Sequence, residues 1–225
     1  MKILSVLFIL AGITYTSCYS QSENAFTIRP YLQLQTGYVM VGGNFDGKSY
    51  FTTDAANILV PDIHNGFAYG LQFGLVTNNF SLDFDYHISI HDAIHHVEGT
   101  NELITVNNVK FLGFSIYLND KQHKIRPFVS FDLSGTWMRL RNGAYGINEY
   151  SGETDMARFG GIGIGLGAGL EFTIGENFSL KLTAVPSYLA LTDVRGITKK
   201  YWEVSKFHSY KFDTFFAVCY KFRKL

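Results

Sequence analysis

Between Gly161 and Gly169 every second residue is glycine, with Ile162, Ile164, Leu166 and Ala168 filling the positions between. Alternation of period two gives a strand two different faces. Here one face is apolar and the other carries no side chains. A helix through this stretch would suffer roughly 1 kcal/mol at each glycine. The apolar set continues through Leu170, Phe172 and Ile174, with Glu171 the first break in the glycine face. Strands of ordinary domains have about 5–6 residues, so this one is long. The pattern suits a curved wall in lipid, apolar outside and either hollow or tightly packed inside.

Seven further runs repeat that design. Ile28 to Met40 sets Ile28, Pro30, Leu32, Leu34, Thr36, Tyr38 and Met40 against Arg29, Tyr31, Gln33, Gln35 and Gly37. Phe67 to Leu75 alternates aromatic or aliphatic residues with Ala68, Gly70, Gln72 and Gly74. The run from Phe80 is the cleanest, opposing Phe80, Leu82, Phe84, Tyr86, Ile88 and Ile90 to Ser81, Asp83, Asp85, His87, Ser89 and His91. Ile104 to Leu118 is weaker, because its parity puts Lys110 on the apolar face. Either Lys110 snorkels to the interface or a bulge resets the register. Ile125 to Trp137 turns Val129, Phe131, Leu133 and Trp137 outward. Phe178 to Leu191 follows the glycine run; Pro186 marks an expected bulge there, since Leu189 and Leu191 fall off the earlier parity. Tyr210 to Phe222 closes the series, with Phe212, Phe216, Val218, Tyr220 and Phe222 outward.

The connections alternate in length. Val76 to Asn79, Asn119 to Lys124 and Gly175 to Asn177 are short; Val41 to Gly66, His91 to Leu103, Arg139 to Arg158 and Asp193 to Ser209 are long. A soluble barrel with an apolar lumen also alternates along its strands. Strict short/long alternation instead matches the short periplasmic turns and longer external loops of outer-membrane barrels. Most runs reach the ~9–11 residues that a membrane-spanning strand needs.

The N-terminus points to export. Met1-Lys2 is followed by a mainly apolar run from Ile3 to Tyr15, too short for a spanning helix of ~20 residues. Cys18 and Ser20 stand at −3 and −1 for cleavage before Gln21, which makes 1–20 a signal peptide and 21–225 one barrel domain of about 205 residues. Cys18 is alternatively a lipoprotein cysteine, with Ser17 suitable before it and Tyr15 a poor fit. No later apolar run approaches helix-spanning length. The formal net charge of zero gives no electrostatic case for nucleic acid. Cys219 is the only other cysteine, so the chain cut after Ser20 has no internal disulfide.

Taken together, the N-terminal segment, the eight runs, the loop asymmetry and the aromatic last strand resemble the small outer-membrane barrels of the OmpA-transmembrane-domain and OmpX type. The resemblance covers nearly all of the mature chain and is architectural. It implies an all-β fold: an eight-stranded antiparallel up-and-down transmembrane β-barrel in a Gram-negative outer membrane, with both termini in the periplasm. It also implies contact with lipid, lipopolysaccharide and the barrel-assembly machinery, which in that group reads a terminal aromatic residue. Tyr220-Lys221-Phe222 fits that signal, though Arg223-Lys224-Leu225 follow it.

Four constellations bear on chemistry. Gly42 to Ser49 matches the spacing G-x-x-x-x-G-K-S, but a phosphate loop needs a helix N-terminus after a buried strand, and Asp46 opposes phosphate. His91, His95, His96 and Glu98 have zinc-ligand chemistry, with His64 and His208 as distant partners, yet read better as a solvated loop. His87-Ile88-Ser89 is similar to the H-x-S of lipid A deacylase barrels, in which His activates Ser. That family has Asn next where Ile90 stands here, and its catalytic groups face lipid, whereas parity puts His87 and Ser89 inside. Trp202, beside Lys199, Lys200 and Tyr201, is either a partner anchor or part of an aromatic girdle.

The inward parity is more informative. It collects Arg29, Arg126, Lys181, Lys211 and Lys221 together with Asp83, Asp85, Asp132, Glu171 and Asp213. Eight strands leave an interior that side chains can fill, and matched charges suit a cross-linked plug better than an ion-selective ring. The expectation is a monomeric, non-enzymatic barrel with no cofactor, metal or catalytic residue. Its loops would serve adhesion, binding of a surface protein or glycan, or envelope integrity. The rival readings are an accessory barrel of a secretion or transport machine, a lipid A-modifying enzyme, and a soluble ligand-binding barrel.

Overall fold

Each alternating run pairs antiparallel with its neighbours until the last meets the first. The computed structural model describes residues 27–43, 49–51, 57–59, 62–94, 101–119, 123–140, 158–195 and 207–223. Its strands are β1 (Arg29–Gly43), β2 (Ser49–Phe51), β3 (Asn57–Leu59), β4 (Asp62–Val76), β5 (Phe80–Ile94), β6 (Asn101–Tyr117), β7 (Ile125–Leu140), β8 (Arg158–Thr173), β9 (Phe178–Arg195) and β10 (Phe207–Lys221). The order β1-β10-β9-β8-β7-β6-β5-β4 closes on itself through the β1–β4 ladder, while β2 and β3 pair separately. The described residues contain no helix. Closure leaves no barrel strand with an unpaired edge, the condition for crossing hydrocarbon as sheet.

Alternation sorts the two faces as expected. Leu34, Phe67, Ile162 and Leu166 all expose about 60% or more of their surface on the outer wall, and Leu166 reaches 65%. The ten charged residues assigned to the interior are all buried. The outer wall is therefore apolar and the interior charged, the inverse of a soluble barrel.

The glycine face of β8 is packed rather than hollow. A methyl group added at Gly161 would strike the Ala190 carbonyl, at Gly163 the Leu189 side chain, and at Gly169 the Phe128 ring. At Gly165 it would lie 2.8 Å from Ser187 Oγ and 2.9 Å from Val185 Cγ1. Side chains of β7 and β9 therefore lie over the strip.

Three local expectations change. In β6, Lys110 pairs with Asp85 and Ser134, but the register has slipped by one residue at Gly113 on the β5 side and at Leu112 on the β7 side. A bulge at Phe111 turns both Phe111 and Leu112 outward and Lys110 inward, which settles its two readings in favour of the bulge. The Phe111 ring lies over Gly135, 2.8 Å from where a methyl group would sit. In β9, by contrast, Pro186 keeps its register opposite Phe212, so the expected bulge is absent there. Leu189 and Leu191 are fully buried because they continue the inward parity of Lys181 and Val185. The β8–β9 register shifts only between Gly160 and Gly161, opposite Asp193 and Leu191.

The second long connection also shrinks. β5 and β6 pair as far as Ile94 and Asn101, so the strands run on past the alternating segment. Beyond the bilayer a strand needs no apolar outer face, so its polar sequence reads as loop.

Candidate functional site

Among the described residues, charged groups converge in the interior, which is built in layers. At the end of the barrel with the short turns, Arg29 enters from the start of β1. Its Nε donates to the Phe222 carbonyl at 2.8 Å and its Nη1 to the Glu176 carbonyl at 2.8 Å. Its Nη2 reaches Asn177 Oδ1 at 2.7 Å and the Lys221 carbonyl at 2.9 Å. Arg29 thus ties the β1–β10 seam to the β8–β9 turn. Arg126 does the same across the mouth, donating to the Asn78 carbonyl with its guanidinium 3.9 Å from the centre of the Tyr117 ring.

The next layer centres on Glu171. Register places it opposite Arg126 on β7 and Lys181 on β9, and it forms an ion pair with Lys221. Lys181 Nζ lies 4.8 Å from the centre of the Tyr31 ring and 5.8 Å from that of Phe128, so aromatic faces share its charge. Tyr31, Val76, Tyr117, Phe128 and Cys219 form the apolar cluster around it.

Above this lies a polar chain. Gln33 donates to Gln72 at 2.7 Å, and Gln72 donates to the Tyr31 hydroxyl at 3.0 Å. Gln35 donates to Asp85, whose other oxygen lies 2.6 Å from His87 Nδ1. Lys211 Nζ is 3.4 Å from His87 Nε2 and 2.7 Å from Asp213. Lys110 spans Asp83 at 3.5 Å and Asp132 at 3.4 Å. Six cationic side chains therefore face five carboxylates among the described residues. Gln33, Gln72, Asp85, His87, Lys110 and Asp213 surround a cavity of about 40 Å³, bordered also by Ser130, Lys181 and Val185. That is room for about three waters.

At the loop end the lining becomes apolar. Val39, Ile63, Val106, Met138, Leu189 and Leu191 are buried there with His91, whose Nε2 lies 2.8 Å from Ser89 Oγ and whose Nδ1 lies 2.9 Å from the His64 carbonyl. Among the described residues, ion pairs thus crowd the turn end of the interior, and buried aliphatic side chains line its loop end.

The geometry separates the groups that the His87–Ser89 and phosphate-loop readings would join. His87 and Ser89 are inside, as parity requires, but they do not pair with each other. His87 faces Asp85, Lys211 and Asp213, while Ser89 faces His91. Neither reaches lipid. Gly42 lies in β1, Gly43 ends it at φ 89°, and Ser49 lies in β2, so a strand stands where the phosphate loop needs its helix. Among the described residues no three His, Cys, Asp or Glu side chains form a metal-binding group. His95, His96, Glu98, Lys199, Lys200, Tyr201 and Trp202 lie outside the described residues. Lys110 is the interior charge that simple parity misplaced; the break in alternation, and carboxylates at matching height on β5 and β7, were its sequence signals.

No protein-family model matches the chain, and no curated protein matches it in sequence. Solved structures match in fold. Neisserial surface protein A (NspA) aligns with a TM-score of 0.56 at 12% identity, covering 86% of this chain and 97% of its own. The N-terminal β-barrel domain of Pseudomonas aeruginosa OprF aligns at 0.45 and 14% identity, over 87% and 99% of the two chains. Escherichia coli outer membrane protein W aligns at 0.42 and 15%, over 85% and 97%. The likeness to Neisserial surface protein A, with the closed eight-strand order, defines the fold: the chain has the architecture of a small eight-stranded outer-membrane barrel, and its apolar outer wall is that of a transmembrane β-barrel.

Proposed function

We propose that this chain is a non-enzymatic, monomeric barrel of a Gram-negative outer membrane that presents surface loops for adhesion, for binding of a protein or glycan, or for envelope integrity. Residues 1–20 would direct export, and the barrel-assembly machinery would insert the rest. The observation that supports the reading is that, among the described residues, ion pairs and aliphatic side chains fill the interior around a cavity of about 40 Å³. With the interior filled and the wall in lipid, the chain segments between β1 and β4, β5 and β6, β7 and β8, and β9 and β10 are left to meet other molecules. All four join strands at one end of the barrel.

Topology on whole cells tests this directly. A tag near Glu149 should be reached by antibody on intact cells, and a tag near Asn119 should not. Labelling at Asn119 but not at Glu149 would invert the barrel and end the surface-display reading.

A further inference from the structure

Three arginines share one row at the loop end of the outer wall. Register sets Arg139 on β7 directly opposite Arg158 on β8, and Arg158 directly opposite Arg195 on β9. Residues opposed in this way share a face of the sheet and stand about 4.5–5.5 Å apart, and like charges there are destabilising. Arg158 keeps the parity of the exposed Ile162, Ile164 and Leu166, so the row belongs to the outer face. The register shift beside Gly161 brings the third arginine in; a straight ladder would set Val194 opposite Arg158. The adjoining row holds Trp137, Gly160 and Asp193, so one carboxylate answers three arginines in these two rows.

Height on the wall is set by β8. Its outer positions are apolar from Ile162 through Ile164, Leu166, Ala168, Leu170 and Phe172 to Ile174. That is about 40 Å of strand. At a tilt of about 45° it covers roughly 28 Å, close to the ~30 Å hydrocarbon core of a bilayer. Arg158 is the next residue but one beyond Gly160, just outside this band, and Trp137 stands between the band and the row. Tryptophan favours the same boundary between hydrocarbon and head groups.

We infer that the Arg139–Arg158–Arg195 row binds the head group of an outer-leaflet lipid that carries more than one phosphate. Guanidinium groups pair with phosphate through two parallel hydrogen bonds, and a bridging anion relieves the crowding of like charges. The excess of two positive charges over Asp193 matches two singly charged phosphates. Position decides for a lipid over a soluble polyanion, because the row lies on the bilayer side of the strands at head-group height. The inference rests on the proposed membrane placement and on the loop end facing outward.

Arg158→Gln, at the centre of the row, provides the test. The full chain in detergent micelles would be titrated with synthetic lipid A bearing two phosphates and with its monophosphorylated form, and bound lipid read by native mass spectrometry. Wild type should retain the doubly phosphorylated lipid about tenfold more tightly. Arg158→Gln should remove that preference, a loss equivalent to roughly 1.4 kcal/mol. Arg223→Gln, which removes an exposed cation at the turn end, should match wild type. Without lipid, the unfolding midpoint of Arg158→Gln should equal or exceed that of wild type, since like charges are thinned. The site is overturned if wild type does not distinguish the two lipids, if Arg158→Gln and Arg223→Gln behave alike, or if Arg158→Gln unfolds earlier without lipid. A heparin oligosaccharide that binds through Arg158 more tightly than the lipid would give the row to a soluble polyanion and overturn the lipid assignment. Heat-modifiable folding of wild type into phospholipid vesicles tests the membrane placement separately, because it does not depend on Arg158.

Discussion

The two ends of the barrel interior are filled by different physics. At the turn end, Arg29, Arg126, Lys181 and Lys221 converge on Glu171, on ring faces and on backbone carbonyls from distant strands. At the loop end, the buried Val39, Ile63, Val106, Met138, Leu189 and Leu191 line the interior without a charge among them. Charged contacts are directional and specific, and they are costly when broken, because each buried ion needs its partner. Apolar contacts are forgiving in direction and sensitive to volume. The turn end should therefore fix which strands meet, and the loop end should fill the space that remains.

Substitutions at each end sharpen that contrast. Glu171→Gln should have the largest effect, roughly 3–5 kcal/mol, because it leaves the buried Lys221 without the carboxylate it pairs with. The midpoint of urea unfolding in detergent would report it. Leu189→Ala should cost about 2–5 kcal/mol through the cavity it leaves. The two should add within ~0.5 kcal/mol, since they lie at opposite ends of the β8–β9 ladder. Strong coupling between them would mean one continuous plug, and the comparison would fail.

The wall itself supplies two smaller tests. Leu166→Arg should cost about 2–4 kcal/mol if the residue lies near the bilayer midplane, read as lost heat-modifiable migration on gels. Gly165→Ser, one position away on the inner face, should cost about 1–3 kcal/mol, because Ser187 and Val185 must shift to admit it. Equal unfolding midpoints for Leu166→Arg and Gly165→Ser would indicate that overpacking weighs as much as charge in lipid.

Much of this was legible in the chain. Period-two alternation separated the two faces, so Glu171, Lys181 and the other eight predicted interior charges fell on the correct side. What alternation cannot see is a residue that breaks it. Lys110 looked lipid-facing because the bulge at Phe111 leaves no mark in composition. Leu189 and Leu191 looked outward because an apolar residue is equally at home on the wall or in an apolar plug, and proximity to Pro186 suggested a bulge where the register runs straight. The partners of His87 were also hidden: Lys211 and Asp213 stand 124 or more positions away in sequence. The β2–β3 pair was missed because short strands outside the wall carry no membrane pattern.

The central claim is that the barrel interior is filled at both ends. Purified protein reconstituted in planar bilayers measures this directly. The account predicts no large, steady conductance from wild type, since ions would have to displace the Lys110, Lys211 and Glu171 pairs and pass the aliphatic layer around Leu189 and Leu191. A stable wild-type channel with clear preference for cations or anions would contradict it.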